Sequence, residues 1–129
     1  GESIKIINLP IRSTDLALIL NDGLTCITSE ELNEAYILQN DLWIRIDSLN
    51  SRRLIMVTKP NIRVVLDDSR NKRIQIMDCI MNNNRFDLEN VLEVSNVTRI
   101  IHESTESQFI LLLKADSLSL LYTSLLLFI

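Results

Sequence analysis

Apolar and polar residues alternate along most of the chain, in short runs separated by polar clusters. Residues 3–9 place Ile4 and Ile6 on one face of an extended segment, which Pro10, having no backbone donor, brings to an end. Residues 16–20 and 24–28 flank Asn21-Asp22-Gly23, where Gly23, the single internal glycine, supplies the positive φ of a tight hairpin turn. Ser29-Glu30-Glu31-Leu32 has the composition of a helix start and predicts a short helix or ordered loop that ends at Gln39-Asn40. Residues 42–47 and 53–58 predict two strands around Ser48-Leu49-Asn50-Ser51, and residues 62–66 and 73–80 repeat the arrangement around a polar run at 67–72. Asn82-Asn83-Asn84 predicts the next turn, because asparagine visits left-handed conformations readily.

Residues 86–94 satisfy both an alternating and a helical pattern, and Phe86/Leu88 with Leu92/Val94 favour an extended segment leading into a strand over 97–101. Residues 108–113 are almost continuously apolar, as expected of a strand covered on both faces. From Asp116 or Ser117 onward, Leu118, Leu121, Tyr122, Leu125 and Phe128 or Ile129 share one helical face and predict an amphipathic C-terminal helix. With no Pro/Gly/Ser-rich linker and no repeat at a solenoid or propeller period, residues 1–129 read as a single domain. The Gly1-Glu2-Ser3 start, without Met, reads as the cut end of a domain excised from a longer protein.

The expected fold class is therefore α+β: a mostly antiparallel sheet or partly open barrel capped by a C-terminal helix. From residue 42 to 129 this layout resembles a pleckstrin-homology-like domain. The resemblance is carried by Phe86-Asp87-Leu88-Glu89-Asn90-Val91-Leu92-Glu93-Val94, the strand over 97–101, Phe109-Ile110-Leu111-Leu112-Leu113 and the terminal helix, which are similar to that family's last strands and capping helix. It is a likeness of residue types. Tyr122 and Phe128 stand where the family carries a helix Trp, and Arg45 is followed by Arg52-Arg53 in place of the [K/R]-x-R triplet of phosphoinositide binders. Residues 1–41 lie outside the resemblance.

At 129 residues, 47% hydrophobic and 23% charged, the chain can bury one core and is too apolar for intrinsic disorder. Cys26 and Cys79 form neither a CxxC pair nor a zinc cluster and read as buried free thiols of a reducing, intracellular compartment, cytoplasmic or nuclear. The Asn96-Val97-Thr98 triplet lies in a strand-like run and reads as an unused glycosylation signal. The apolar run from Phe109 is interrupted by Lys114 and Asp116, which leaves too short a remainder to span a bilayer.

The chain has one histidine, His102, at the end of an apolar strand, and no HxxxH, GxSxG, phosphate loop or metal-ligand spacing. No enzymatic activity, cofactor or metal is expected. The net charge of −4 conceals a basic stripe: residues 52–73 hold seven Lys/Arg against Asp67 and Asp68. Within it Arg52, Arg53, Arg70, Lys72 and Arg73 are candidates for binding an acidic ligand, whether phosphoinositide, phosphopeptide or nucleic-acid backbone. No aromatic residue interleaves the stripe as a single-strand nucleic-acid binder would require. Trp43 is the candidate partner-binding residue, since tryptophan removes a large area from water on docking. The leading expectation is a non-catalytic protein–protein interaction module of a larger intracellular scaffold or regulatory protein, binding a peptide or partner domain. Acidic-ligand recognition, of anionic lipid or nucleic acid among others, is the alternative, and homo-oligomerisation through exposed apolar surface is a third.

Overall fold

Asp22 and Gly23, at φ 52° and 74°, reverse the chain after β1 (Leu16–Asn21), so that β2 (Leu24–Ser29) runs back antiparallel with Cys26 opposite Ile19. The structure, a computed structural model, describes residues 4–102, 108–113 and 118–122, with side chains described over 4–97. Left-handed residues make the next turns as well: Asn33 precedes β3 (Glu34–Gln39), and Asn40 and Asp41 precede β4 (Leu42–Arg45). These four strands form one sheet in sequence order. A second sheet follows the same plan with β5 (Arg53–Thr58), β6 (Arg63–Asp68), β7 (Arg73–Asn82) and β8 (Arg85–Val94). A 3-10 turn, Ser69–Asn71, joins β6 to β7, and Asn83-Asn84 joins β7 to β8. A third, three-stranded sheet holds β9 (Val97–His102), β10 (Gln108–Leu113) and β11 (Leu118–Tyr122), with β10 in the middle.

The first two sheets pack face to face. Cys26, Ala35, Ile37, Ile44 and Ile46 of the first meet Leu54, Val57, Val64, Leu66, Met77, Cys79 and Phe86 of the second in one buried cluster. The opposite face of the second sheet carries another cluster of Met56, Val65, Ile74 and Ile76, joined by Val97 at the start of β9. Being apolar on both faces explains the unbroken Val64-Val65-Leu66 run, all 0% exposed, in a strand flanked on each side by another. Each such side chain contributes about 1.5–3 kcal/mol on burial.

The two sheets also run in the same direction. The Asn21 amide donates to the Val57 carbonyl at 2.7 Å, and the Asp22 carboxylate accepts from the Thr58 hydroxyl at 2.8 Å and the Lys59 N–H at 3.2 Å, so β1 and β5 finish together. On the other side a parallel bridge joins Ile46, just beyond β4, to Phe86 in β8, and the Asp47 N–H donates to the Phe86 carbonyl at 2.8 Å. β1 thus lies beside β5 with their ends together, whereas the end of β4 meets the start of β8.

Several sequence expectations are corrected. The fold is nearly all β, and the α+β class with a capping C-terminal helix does not hold: 118–122 is a strand, with Leu112 opposite Leu118 and Ile110 opposite Leu120. A leucine-rich run this short satisfies a period of 2 as well as 3.6, and pairing with β10 supplies its ladder. Asp116, Ser117 and Leu125 to Ile129 lie outside the described residues. Over 30–39 the short helix is replaced by a turn ending at Asn33 and by β3, and residues 4–9 form no strand. Among the described residues no helix is long and apolar enough to cross a membrane.

Candidate protein-interaction face

Ile19, Cys26, Ile37 and Ile44 lie opposite one another across the first sheet and point toward the second. Their neighbours in the strands therefore point away. Leu18, Ile27, Tyr36 and Arg45 make one outward row, and Leu20, Thr25, Leu38 and Trp43 supply the next. On the β4 side the N-terminal segment approaches this face: the Trp43 indole N–H donates to the Asn8 carbonyl at 2.9 Å, Lys5 pairs with Asp41, and Ile11 is buried. On the β1 side Leu18 and Leu20 stand 61% and 63% exposed. Six of the nine exposed large hydrophobic residues among those described (Ile4, Ile6, Leu9, Leu18, Leu20 and Leu42) belong to this segment and sheet, so apolar exposure is concentrated at one end of the stack.

β1 is an edge strand, and so is β5 beside it. A cleft of about 570 Å³ opens where the two strands begin, with Leu18, Leu20 and Ile55 on its walls and Asp15, Glu34 and Arg53 at its rim. Asp15 is fixed there by the Ser13 hydroxyl, by the Glu31 N–H at 2.7 Å and by the Ser29 hydroxyl at 2.7 Å. These bonds stabilise the carboxylate and hold its pKa down at about 2. Its work is to staple the start of β1 to the turn between β2 and β3.

The basic stripe does not come together as a patch. Arg52 is 8% exposed and faces the first sheet, its guanidinium donating to the Leu49 carbonyl at 2.7 Å, the Ser48 carbonyl at 2.6 Å and Gln75 Oε1 at 2.8 Å. Burial pushes its pKa down, against the pull of Asp68. Arg53 pairs with Asp67 at 3.0 Å. Arg73 pairs with Asp68 and Glu93, each at 2.7 Å, and the Asp68 hydrogen bond raises its pKa. Arg70 and Lys72 are exposed at the 3-10 turn. Trp43 is half-buried on the outward face. The stripe's alternation in sequence sends neighbours such as Arg52 and Arg53 to opposite sides of the second sheet.

Cys26 and Cys79, far apart in the chain, are free thiols buried in the same cluster. Burial pushes both up to about 12, Cys79 adding to the effect at Cys26 and Asp78 at Cys79. His102 ends β9, and its side chain lies outside the described ones. Among the described residues no cluster of His, Cys, Asp and Glu could hold a metal ion.

Sequence reasoning passed over Leu18 and Leu20. The signal was present: Leu16 to Leu20 is apolar at every position, and an edge strand of that composition has apolar residues on both faces. No protein-family model, curated protein or solved structure matches this chain.

Proposed function

We propose that the chain is a non-catalytic protein-interaction module, of the kind carried by larger intracellular scaffold or regulatory proteins, and that it presents the β1 side of the first sheet's outer face to a protein partner. One observation carries the reading: Leu18 and Leu20 are adjacent on one face of an edge strand, and both are more than 60% exposed. Full burial of such a side chain is worth about 1.5–3 kcal/mol, so a partner that covers both gains a large part of an ordinary binding energy. The β1 edge adds unpaired backbone groups that a partner strand can use. The alternative, an acidic ligand on the basic stripe, draws less support, because Arg52, Arg53 and Arg73 already spend their charge on partners within the fold.

The test compares the chain with a Leu18→Glu/Leu20→Glu variant, both shown to be folded by circular dichroism, immobilised and titrated with cell lysate. The expected result is a protein retained saturably by the parent chain and lost from the variant. Equal retention by both, or no saturable protein on either, would reject the reading.

A further inference from the structure

The two margins of the stacked sheets are closed in different ways. On the β4 side the sheets are joined through backbone, by the Ile46–Phe86 bridge and by the Asp47 N–H on the Phe86 carbonyl at 2.8 Å. On the other side, what joins β1 to β5 among the described residues is side chains, those of Asn21 and Asp22, at the ends of the two strands. Before that point no ladder connects them, and each is the edge of its sheet. β5 carries a β-bulge there: Leu54 lies opposite Leu66 and Met56 opposite Val65, which leaves Ile55 between them with no partner of its own in β6. A bulge bends its strand, and the cleft of about 570 Å³ opens at this level, with Leu18, Leu20 and Ile55 on its walls.

Both edges turn backbone groups into this seam. The two-residue turn makes Asn21 and Leu24 a hydrogen-bonded pair, so the antiparallel alternation points the N–H and C=O of Leu16, Leu18 and Leu20 away from β2. On the β5 side the Val57 carbonyl already faces β1, where it accepts from the Asn21 side-chain amide. Because β1 and β5 run in the same direction, one strand laid between them is antiparallel to both, the arrangement with the more stable ladder. A strand already held in another sheet cannot enter between two edges. The seam therefore selects a free, extended segment.

The mouth of the seam adds charge. Asp15, Glu30 and Glu31 stand there together, the Glu31 N–H donating to the Asp15 carboxylate, and none of the three has an ion-pair partner among the described residues. The cations beside them are engaged elsewhere, Arg52 turned inward to Gln75 and Arg53 paired with Asp67. Resting on the interaction-module reading above, we infer that the seam between β1 and β5 takes up an extended apolar segment of a partner protein, antiparallel to both strands, with lysine or arginine directly C-terminal to the apolar stretch. The order follows from the direction, since a strand antiparallel to β1 leaves the cleft where β1 begins, beside Asp15, Glu30 and Glu31. Its alternate side chains meet Leu18 and Leu20 on the outward face as cross-strand pairs.

The experiment uses the purified chain and an array of synthetic peptides. Each peptide has an apolar stretch randomised among valine, isoleucine, leucine and phenylalanine, with two lysines after it, two lysines before it, or two glutamates after it. The set with lysines after the stretch should be retained most strongly, and added salt should weaken it. Glu30→Lys/Glu31→Lys, on an exposed turn, should weaken that set about tenfold and move the preference to the glutamate set. Leu18→Glu/Leu20→Glu should lose every set, and each variant is checked by thermal melting against the parent. Hydrogen exchange reads the ladder: with the tightest peptide bound, the Leu18 and Leu20 N–H groups should exchange about tenfold more slowly. Unchanged exchange at both, or a charge preference that survives Glu30→Lys/Glu31→Lys, overturns the inference. A parent chain that retains no peptide of the array also overturns it. If that parent still draws from lysate a saturable protein that Leu18→Glu/Leu20→Glu loses, the interaction-module reading stands and only the inserted strand falls.

Discussion

The inner and outer faces of the first sheet are made by the same four strands, yet they are finished to different degrees. Inward, Cys26, Ala35 and Ile37 are 0% exposed, and polar fittings close the margin: Asn21 to Val57, Asp22 to Thr58, and Asn33 holding both the Arg52 carbonyl and the Ser51 N–H. Outward, the aliphatic material is present but the described margin fittings are those of the N-terminal segment at Trp43 and Asp41, on one side only. Apolar content alone decides which faces can be covered. The hydrogen bonds around the rim decide which face is already committed to a fixed neighbour, because each polar group there would lose its partner if the sheets slid.

The widest separation of the two faces should come from matched leucine truncations. Leu66→Ala, at a fully buried position, is expected to cost about 2–5 kcal/mol, whereas Leu18→Ala should stay within about 0.5 kcal/mol in the isolated chain. Urea unfolding measures both, and equal losses would erase the distinction. Next in size, Arg52→Ala removes a buried guanidinium's hydrogen bonds to the Leu49 carbonyl, the Ser48 carbonyl and Gln75 and should cost about 2–3 kcal/mol, against almost nothing for Arg70→Ala on the exposed turn. Asn21→Ala removes one margin bond and should cost about 1 kcal/mol in the same assay.

The smallest effect is that of Asp15. Its folded pKa of about 2 lies below the ordinary 3.8, so the stability it contributes is complete above that ordinary value and is lost as pH falls toward 2. Asp15→Asn should flatten this part of an acid-unfolding profile monitored by circular dichroism, and an unchanged slope would remove Asp15 from the margin.

Much of this architecture is legible in the sequence, and the failures have physical causes. Hairpins with a half-exposed strand were readable from alternation and turn residues, as around Asn21-Asp22-Gly23. β3 was not, because Ala35, Tyr36, Ile37 and Leu38 are apolar in succession and the acidic turn before them imitates a helix start. β11 failed for the same reason, its leucines fitting two periods at once. At the basic stripe, nothing local in the sequence distinguishes Arg52, which turns into the fold, from Arg53, which pairs at the surface.

In each of the three sheets every strand pairs with a neighbour in sequence, and the links within the first two sheets are short turns. For an all-β protein this keeps most backbone contacts local, and local contacts close at a low entropic cost and therefore quickly. Each sheet can form its ladder from a contiguous stretch of chain as that stretch leaves the ribosome, before the next is made. The order of synthesis then has a consequence for quality control. The first sheet emerges with both of its apolar faces bare, its inner face is covered once β5–β8 arrive, and its Leu18/Leu20 edge stays in view after they have.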